Sequence, residues 1–253
     1  MVKIVLTIES MGTAILDFCR KYLIPPEYFL RIINDQKVIP MLRGKGMEYS
    51  AYLALSEVLD ENEWSVQKLN LAAQTGSPDE DITITHRRSG IKLKIESKSA
   101  VRGSFSLGER SRDYKGIPHF KVKSHRSRST ISKIESGNDR YSVEDFDVII
   151  SNPENSIYQG NTASEGFQLL HDERAIEFIK RKYGVNTQEE LSHATYSDWR
   201  FVLPKDIAEN GFIPRTPYVL FENDPHWHSL KEIEAILTEL IRLQRERKPR
   251  SSK

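Results

Sequence analysis

Hydrophobic and polar residues alternate along two neighbouring segments of the chain, Asp81 to His86 and Ile91 to Lys98. Alternation with a period of two is typical of strands that bury one face. The polar link between them, Arg87-Arg88-Ser89-Gly90, has the composition of a hairpin turn. The pattern therefore predicts an antiparallel β-hairpin with apolar side chains on one face and mostly charged or hydroxyl side chains on the other.

The flanking segments contain further predicted elements. Before the hairpin, the pattern predicts three helices, over Glu9 to Tyr22, Glu27 to Asn34 and about Met47 to Leu59. A strand is predicted over Trp64 to Ala73. After the hairpin, it predicts a long loop or an element that orders on binding, over Val101 to Gly137. Two strands follow over Phe146 to Ser151 and Trp199 to Leu203, and two helices over Glu173 to Tyr183 and 229 to 247. This order predicts an α/β fold with a mixed central β-sheet flanked by helices.

Length and composition describe an ordinary globular chain. Its 253 residues, 38% of them hydrophobic, suffice for one substantial core. We predict a single domain over 1–253, with an N-terminal helical part at about 1–42, a core at about 43–205 and a C-terminal helical part at about 206–247. The first residues lack a signal-peptide pattern and Cys19 is the one cysteine, so we expect a cytoplasmic location.

The parity of the predicted hairpin places its charged side chains. Successive side chains of a strand point to opposite faces, so Ile82 and Ile84 share one face and Asp81 lies on the other. Two registers let the apolar faces of both strands share a core: one sets Asp81 opposite Glu96, and the other sets it opposite Lys98. Both registers bring Asp81, Glu96 and Lys98 together.

Two further acids precede the first strand. Glu80 has the wrong parity for the charged face, whereas Asp79 has the right parity and follows Pro78. Asp81 opens the strand directly and lies closer to Glu96 in both registers. We therefore predict Asp81 as the first acid of the site and keep Asp79 as its competitor.

Two carboxylates and an ammonium in one place indicate a metal site. Crowded carboxylates repel each other unless a cation lies between them, and hard oxygen ligands suit Mg²⁺. Lys98 can orient or deprotonate a water molecule, or stabilise charge on a phosphate. Glu48 lies on the inward face of the predicted helix and is a further catalytic candidate; a carboxylate in a first helical turn also has a purely structural explanation in the helix dipole.

These residues resemble the signature of the PD-(D/E)xK nucleases. Pro78-Asp79 and Asp81, followed after a hairpin by Glu96-Ser97-Lys98, match its motif, and Glu48 matches the acid of its preceding helix. The resemblance covers about 43 to 100 and implies a restriction-endonuclease-like αβββαβ core with helical additions at both ends. It also implies that Asp81 and Glu96 hold Mg²⁺ together with the backbone carbonyl of Ser97, and that Lys98 assists the nucleophilic water.

The distribution of charge indicates a polyanionic partner. The net charge is only +1, yet 14 Lys or Arg and three acids lie between Ile82 and Ile134. Concentrated positive charge is expected where a protein neutralises phosphates. We expect DNA contacts from the basic region Arg102 to Lys133, with Arg43, Lys45, Arg87 and Arg88 as secondary candidates.

Together these features favour a type II restriction endonuclease. It would cut double-stranded DNA in a Mg²⁺-dependent reaction, act as a homodimer, and work beside a companion DNA methyltransferase. One alternative is a DNA repair or recombination nuclease of the same fold. The other is a non-catalytic nucleic-acid-binding protein whose hairpin acids are merely solvated.

Overall fold

The chain is described by a computed structural model that covers residues 8–68, 81–125, 139–160 and 166–247. Within these ranges the helices are α1 Ile8–Lys21, α2 Pro26–Ile33, α3 Val38–Val58, α4 Glu173–Tyr183, α5 Gln188–Ser197, α6 Pro204–Ile207 and α7 Ile233–Arg247. Two 3₁₀ turns lie at Glu154–Ile157 and Leu230–Glu232. None of the described helices has the length and apolar character needed to cross a membrane.

The strands of the described ranges form one large sheet and two small ones. They are β1 Trp64–Lys68, β2 Ile82–His86, β3 Lys92–Ser97, β4 His119–Lys121, β5 Val148–Ser151, β6 Tyr158–Gln159, β7 Gln168–Leu169, β8 Arg200–Val202, β9 Tyr218–Leu220 and β10 His228–Ser229. The large sheet has the order β1-β2-β3-β5-β8-β10, while β4 pairs with β9 and β6 with β7. Only the β3–β5 pair is parallel among these described pairings. The predicted mixed central sheet flanked by helices is therefore present.

The hairpin adopts the first of the two predicted registers. Ile82 pairs with Ile95 and Thr83 with Lys94, which places Asp81 level with Glu96. The His86 N–H donates to the carbonyl of Ile91, so the four residues Arg87 to Gly90 form the link between the strands. Parity is unchanged, so the predicted faces of the two strands are confirmed.

Both faces of the large sheet are covered. Helices α3 and α7 lie over the face that carries Ile82, Ile84, Leu93 and Ile95, all fully buried. A second apolar cluster, which includes Ile149, covers the opposite face. Glu96 pairs with Ile149 in the parallel β3–β5 register and is itself buried. The charged face of the hairpin is thus partly enclosed, whereas the sequence pattern alone had marked it only as the non-core face.

The described parts of the connection between β3 and β5 show turns and a short strand where the predicted arrangement has a helix. An αβββαβ core would place a helix before the next strand, but 98–125 and 139–147, the described parts of this connection, contain no helix. Instead β4 pairs with β9 and contributes Phe120 and Val122 to the second apolar cluster. Turns and irregular chain make up most of 101–125, as expected for a loop, but His119–Lys121 forms a strand that this prediction missed. Residues 126–137 of the predicted loop lie outside the described residues. Long-range packing orders this polar segment, and local periodicity does not report such packing.

Helix α3 begins earlier than predicted. It starts at Val38 and continues through Gly44 and Gly46, although glycine in a helix interior costs about 1 kcal/mol relative to alanine. Its second half packs Ala51 and Leu55 against the sheet, and this burial stabilises the helix. Glu48 consequently lies in the middle of a helix, so the first-turn explanation for this acid is wrong.

We expect Ile84→Ala to lower the free energy of unfolding by about 2–5 kcal/mol, because Ile84 is fully buried beneath α3 and α7 and truncation leaves a cavity. Ile117→Ala, at a site 39% exposed, should cost under about 1.5 kcal/mol. Urea unfolding followed by tryptophan fluorescence measures both values. Equal losses in the two variants would contradict the assignment of this face as the main core.

Candidate active site

The end of the hairpin brings Asp81, Glu96 and Lys98 together. The backbone N–H of Ser97 donates to Oδ2 of Asp81 at 2.9 Å, which ties the first strand to the second at the level of the site. Nζ of Lys98 lies 2.5 Å from Oε1 of Glu96. The backbone N–H of Lys98 donates to the carbonyl of Ile150 at 2.9 Å, so β5 holds the chain just beyond the strand. The three predicted residues thus share one fixed position at the end of β2 and β3.

Tyr141 adds a contact that the sequence did not indicate. Nζ of Lys98 donates to the hydroxyl oxygen of Tyr141 at 3.2 Å and lies 4.6 Å from the centre of its ring. The ring of Tyr141 packs edge-on against Phe146 next to β5. The ammonium of Lys98 is therefore held between a carboxylate and a phenol.

Glu96 is a buried carboxyl with one unpaired oxygen. Glu96 is only 5% exposed, and its Oε2 has no hydrogen-bond partner among the described residues. Burial raises the pKa of Glu96 to about 8; Lys98 opposes this rise and the charge of Asp81 adds to it. A buried oxygen without a partner is costly unless something binds it. This atom is therefore the natural attachment point for a cation.

Burial at the site also acts on the pKa values of Asp81 and Lys98. Burial raises the pKa of Asp81 to about 6, the hydrogen bond from the Ser97 N–H lowers it in part, and the charge of Glu48 raises it further. Burial by itself would lower the pKa of Lys98, but the Glu96 carboxylate and Tyr141 outweigh it and raise this pKa above its usual value. Lys98 therefore keeps its proton at neutral pH, whereas the two carboxyl groups are poised to exchange theirs.

Glu48 reaches the site but is already engaged. Nζ of Lys68, at the end of β1, lies 2.7 Å from Glu48 Oε2, and Nζ of Lys45 lies 2.8 Å from the same oxygen. Burial is the main cause of the raised pKa values of Asp81 and Glu96, and the negative charge of Glu48 adds to both. Binding a metal through Glu48 would require at least one lysine to move.

The donor set fits one hard cation held by two side chains. Asp81 and Glu96 supply carboxylate oxygens, the ligands that Mg²⁺ prefers. Within the described ranges no group of three or more His, Cys, Asp or Glu side chains could hold a metal, so the remaining ligands would have to be backbone, water or phosphate oxygens. The Ser97 carbonyl as a ligand stays a prediction. Asp79, the competing first acid, lies outside the described residues.

A groove of about 840 Å³ opens beside the site. Ser99 and Ala100, which directly follow Lys98, line it, and so do the first half of α3 and the turn after β5. The guanidinium groups of Arg43 and Arg102 lie 4.0 and 3.9 Å from the centre of the Phe167 ring. Burial and the nearby charge of Arg102 lower the pKa of Arg43. Lys123 and His125 also line the groove, and so does one acid, Glu154. The lining thus carries three Lys or Arg side chains against one carboxylate.

Asn155 fixes the position of this groove relative to β3. Its side-chain amide donates to the carbonyl of Ala100 at 2.6 Å, and its Oδ1 accepts a hydrogen bond from Arg43. One side chain thus joins the backbone just after Lys98 to a cation on α3. The groove and the carboxylate site are parts of one framework.

The other residues predicted to contact DNA have structural contacts, lie far from the site, or lie outside the described residues. Arg87 donates to the backbone carbonyls of Glu61 and Trp64 at the turn end of the hairpin, which lies ~20 Å from Asp81 at about 3.3 Å per residue. Arg87 therefore has a structural role, and Arg88 beside it is remote from the site. Lys45 pairs with Glu48. Residues 126–133 of the predicted basic region lie outside the described residues.

Comparison with known proteins gives little further information. No protein-family model matches the chain, and no curated protein matches it. Among solved structures, a bacterial homing endonuclease is similar over 53% of this chain and 80% of its own, with 20% sequence identity and a TM-score of 0.28. A likeness of this size assigns neither family nor activity, so function has to be inferred from the site.

The raised pKa values predict a pH-dependent response to divalent cations. Between about pH 4 and pH 8 the folded protein binds more protons at Asp81 and Glu96 than the unfolded chain does, so their contribution to stability falls as pH rises through this window. Mg²⁺ competes with these protons. We expect the Mg²⁺-induced rise in Tm to be small near about pH 5 and several-fold larger near about pH 8.

Scanning calorimetry with and without Mg²⁺ at each pH measures this difference. Asp81→Asn should abolish the rise at the higher pH, whereas Asp145→Asn, an acid bonded to the nearby Ser142 N–H, should retain it. A rise that is independent of pH, or that survives Asp81→Asn, would place cation binding elsewhere.

Proposed function

We propose that this protein is a Mg²⁺-dependent nuclease that hydrolyses phosphodiester bonds in double-stranded DNA, and more specifically a type II restriction endonuclease. The observation that supports the proposal most strongly is the buried Glu96 Oε2, unpaired within the described structure and set beside Asp81 and Lys98. A groove that carries Arg43, Arg102 and Lys123 begins directly after Lys98. A cation site next to a path for a polyanion is the arrangement that metal-assisted phosphodiester hydrolysis requires.

Asp81 and Glu96 would hold the metal. When bound there, Mg²⁺ supplies an activated water at neutral pH and neutralises charge on the scissile phosphate. Asp81 is oriented for this role by the Ser97 N–H, and the partly enclosed face limits access of bulk water to Glu96. The Ser97 carbonyl is a further ligand in this proposal.

Lys98 acts as a cation in this mechanism. Its raised pKa and its contacts with Glu96 and Tyr141 keep the ammonium protonated and fixed. Of the roles expected from the sequence, orienting the water and stabilising negative charge on the phosphate suit a protonated lysine, whereas removing a proton from water does not. Glu48 acts indirectly, because its negative charge favours cation binding at the neighbouring carboxylates and holds Lys68 and Lys45 in place.

The DNA backbone is proposed to run along the groove. Arg43 and Arg102 stack on Phe167, which orients two guanidinium groups in one place, and such groups recognise phosphates by paired hydrogen bonds. Asn155 links Arg43 to the backbone just beyond Lys98, so a strand held at Arg43 is kept in register with the carboxylates.

A homodimer would supply one such site for each DNA strand, and a companion methyltransferase would protect the host.

Glu96→Gln should reduce the rate of Mg²⁺-dependent DNA cleavage by at least about 10³-fold, because the amide keeps the shape of the carboxyl but cannot bind the cation as a charged ligand. Glu144→Gln, at an exposed acid beyond the site, should cleave at the wild-type rate. Gel assays on long duplex DNA measure both. Cleavage that persists in Glu96→Gln would show that the active site lies elsewhere.

The same assay separates the three functions weighed from the sequence. Discrete fragments from long duplex DNA indicate a sequence-specific restriction enzyme. A smear, or cutting only at junctions and other special structures, indicates a repair or recombination nuclease. Binding without any Mg²⁺-dependent cleavage indicates a non-catalytic DNA-binding protein and overturns the proposal.

Arg43→Ala should weaken DNA binding and lower the slope of log Kd against log salt by about 1, because one phosphate contact is lost. Arg245→Ala, an exposed arginine near the end of α7, is the matched control and should leave the slope unchanged. Fluorescence anisotropy over a series of salt concentrations, with Ca²⁺ in place of Mg²⁺ to prevent cleavage, gives both slopes. Identical slopes for wild type and Arg43→Ala would exclude Arg43 from the DNA path.

A further inference from the structure

One acidic side chain lies in a groove that otherwise carries positive charge. Among the described residues that line the groove, Glu154 is the one acid, beside Arg43, Arg102 and Lys123. It begins the 3₁₀ turn that follows β5. A carboxylate repels phosphates, so it weakens a groove that only holds a DNA backbone. The presence of Glu154 calls for a contact with some other part of the bound molecule.

The charge of Glu154 is felt on both sides of the groove. Burial raises the pKa of Glu154, and the positive charge of Arg43 on α3 lowers it in part. Burial and the charge of Glu154 raise the pKa of Tyr196 on α5. Arg43 and Tyr196 both line the groove. The Glu154 carboxylate therefore lies within the groove, near α3 and near α5.

The carboxylate of Glu154 has no bonding partner within the described structure. Arg43 is close enough for the two charges to interact, yet its guanidinium donates to Oδ1 of Asn155 and forms no ion pair with Glu154 in the described ranges. A half-buried carboxylate without a hydrogen-bond donor is costly. An ion pair that stabilises the fold therefore does not explain this residue.

Hydrogen bonds hold the backbone on both sides of Glu154. The side-chain amide of Asn152 donates to the carbonyl of Tyr196 at 2.9 Å. The side-chain amide of Asn155 donates to the carbonyl of Ala100 at 2.6 Å. The turn is thus joined to α5 on one side and to the chain just beyond the active site on the other. A fixed turn of this kind suits a residue that must meet one particular group of its ligand.

We propose that Glu154 recognises a base of the DNA target, by accepting a hydrogen bond from the N4 amino group of a cytosine. The inference rests on the proposed function, because it requires duplex DNA in the groove. Cytosine N4 and adenine N6 are the amino groups that the major groove offers. Cytosine is favoured, because in adenine the N7 acceptor beside N6 would also face the carboxylate.

The recognised cytosine should lie close to the cut. Ala100 follows Lys98 by two residues, so at most ~7 Å of chain separates their Cα atoms. Asn155, the neighbour of Glu154, bonds directly to Ala100. Successive bases of a DNA strand are ~3.4 Å apart along the helix axis. We therefore expect the cytosine within a few base pairs of the scissile phosphate.

Selection from a randomised duplex library by binding, with Ca²⁺ in place of Mg²⁺, measures base preference without cleavage. The wild type should enrich a sequence that contains a cytosine at one defined position. Glu154→Ala should lower the preference for that cytosine at least about tenfold and leave the other positions unchanged. Glu154→Gln should shift the preference there towards adenine, because an amide pairs with adenine N6 and N7.

Glu57→Gln is the matched control. Glu57 is an exposed acid on α3 that does not line the groove, so this variant should keep the wild-type preference at every position. A second measurement uses duplexes that lack the selected sequence. Glu154→Ala should bind these at least about twofold more tightly than the wild type does, because a charge that repels phosphates is lost. A structural role for Glu154 would instead weaken binding to every duplex.

The outcomes separate this inference from the nuclease proposal. Unchanged base preference in both Glu154 variants overturns the inference, and so does uniformly weaker binding to every duplex. A wild type that cuts DNA but enriches no sequence also overturns the inference, and the nuclease proposal stands. The expected changes in preference without any Mg²⁺-dependent cleavage support the inference and overturn the nuclease proposal. A wild type that binds no DNA overturns both.

Discussion

Strand β3 is covered on both faces, and the chemistry of the site depends on that constraint. One face carries Leu93 and Ile95 into the core beneath α3 and α7, so a shift of one residue in register would bury lysine there. The other face lies against the cluster that includes Ile149, and there Glu96 must lose its water. The two layers of packing therefore fix where the carboxyl groups lie and also make their ionisation costly.

The protein itself offsets only part of the free-energy cost of ionising these buried carboxyl groups. Lys98 compensates one oxygen of Glu96, and the Ser97 N–H compensates one oxygen of Asp81, while the second oxygen of Glu96 is left without a partner in the described structure. Replacing either acid by an apolar residue would remove the penalty, so stability alone does not explain why both are present. Groups that are unfavourable for folding and converge on one point are characteristic of a functional site.

The hairpin and its charged face can be predicted from the sequence, because alternation with a period of two fixes which face of a strand each side chain occupies. Asp81, Glu96 and Lys98 could be brought together by parity alone, and the boundaries of α1, α2 and α4 follow from their apolar spacing. Local patterns failed where distant residues decide the structure. The segment from Val101 to His125 is polar by composition, yet its residues His119–Lys121 form β4, which pairs with β9. Tyr141 and Lys68 reach the site from far along the chain or from a strand end, and nothing in their local sequence marks them.

Helix α3 is shared by three surfaces. It packs Leu55 into the core, carries Glu48, whose charge acts on Asp81, and lines the groove with Arg43. A rigid helix moves as one body, so displacement of any one face changes the position of the other two. Few of its positions are free to vary without consequence, and over evolutionary time α3 should therefore accept substitutions more slowly than the exposed C-terminal turns of α7.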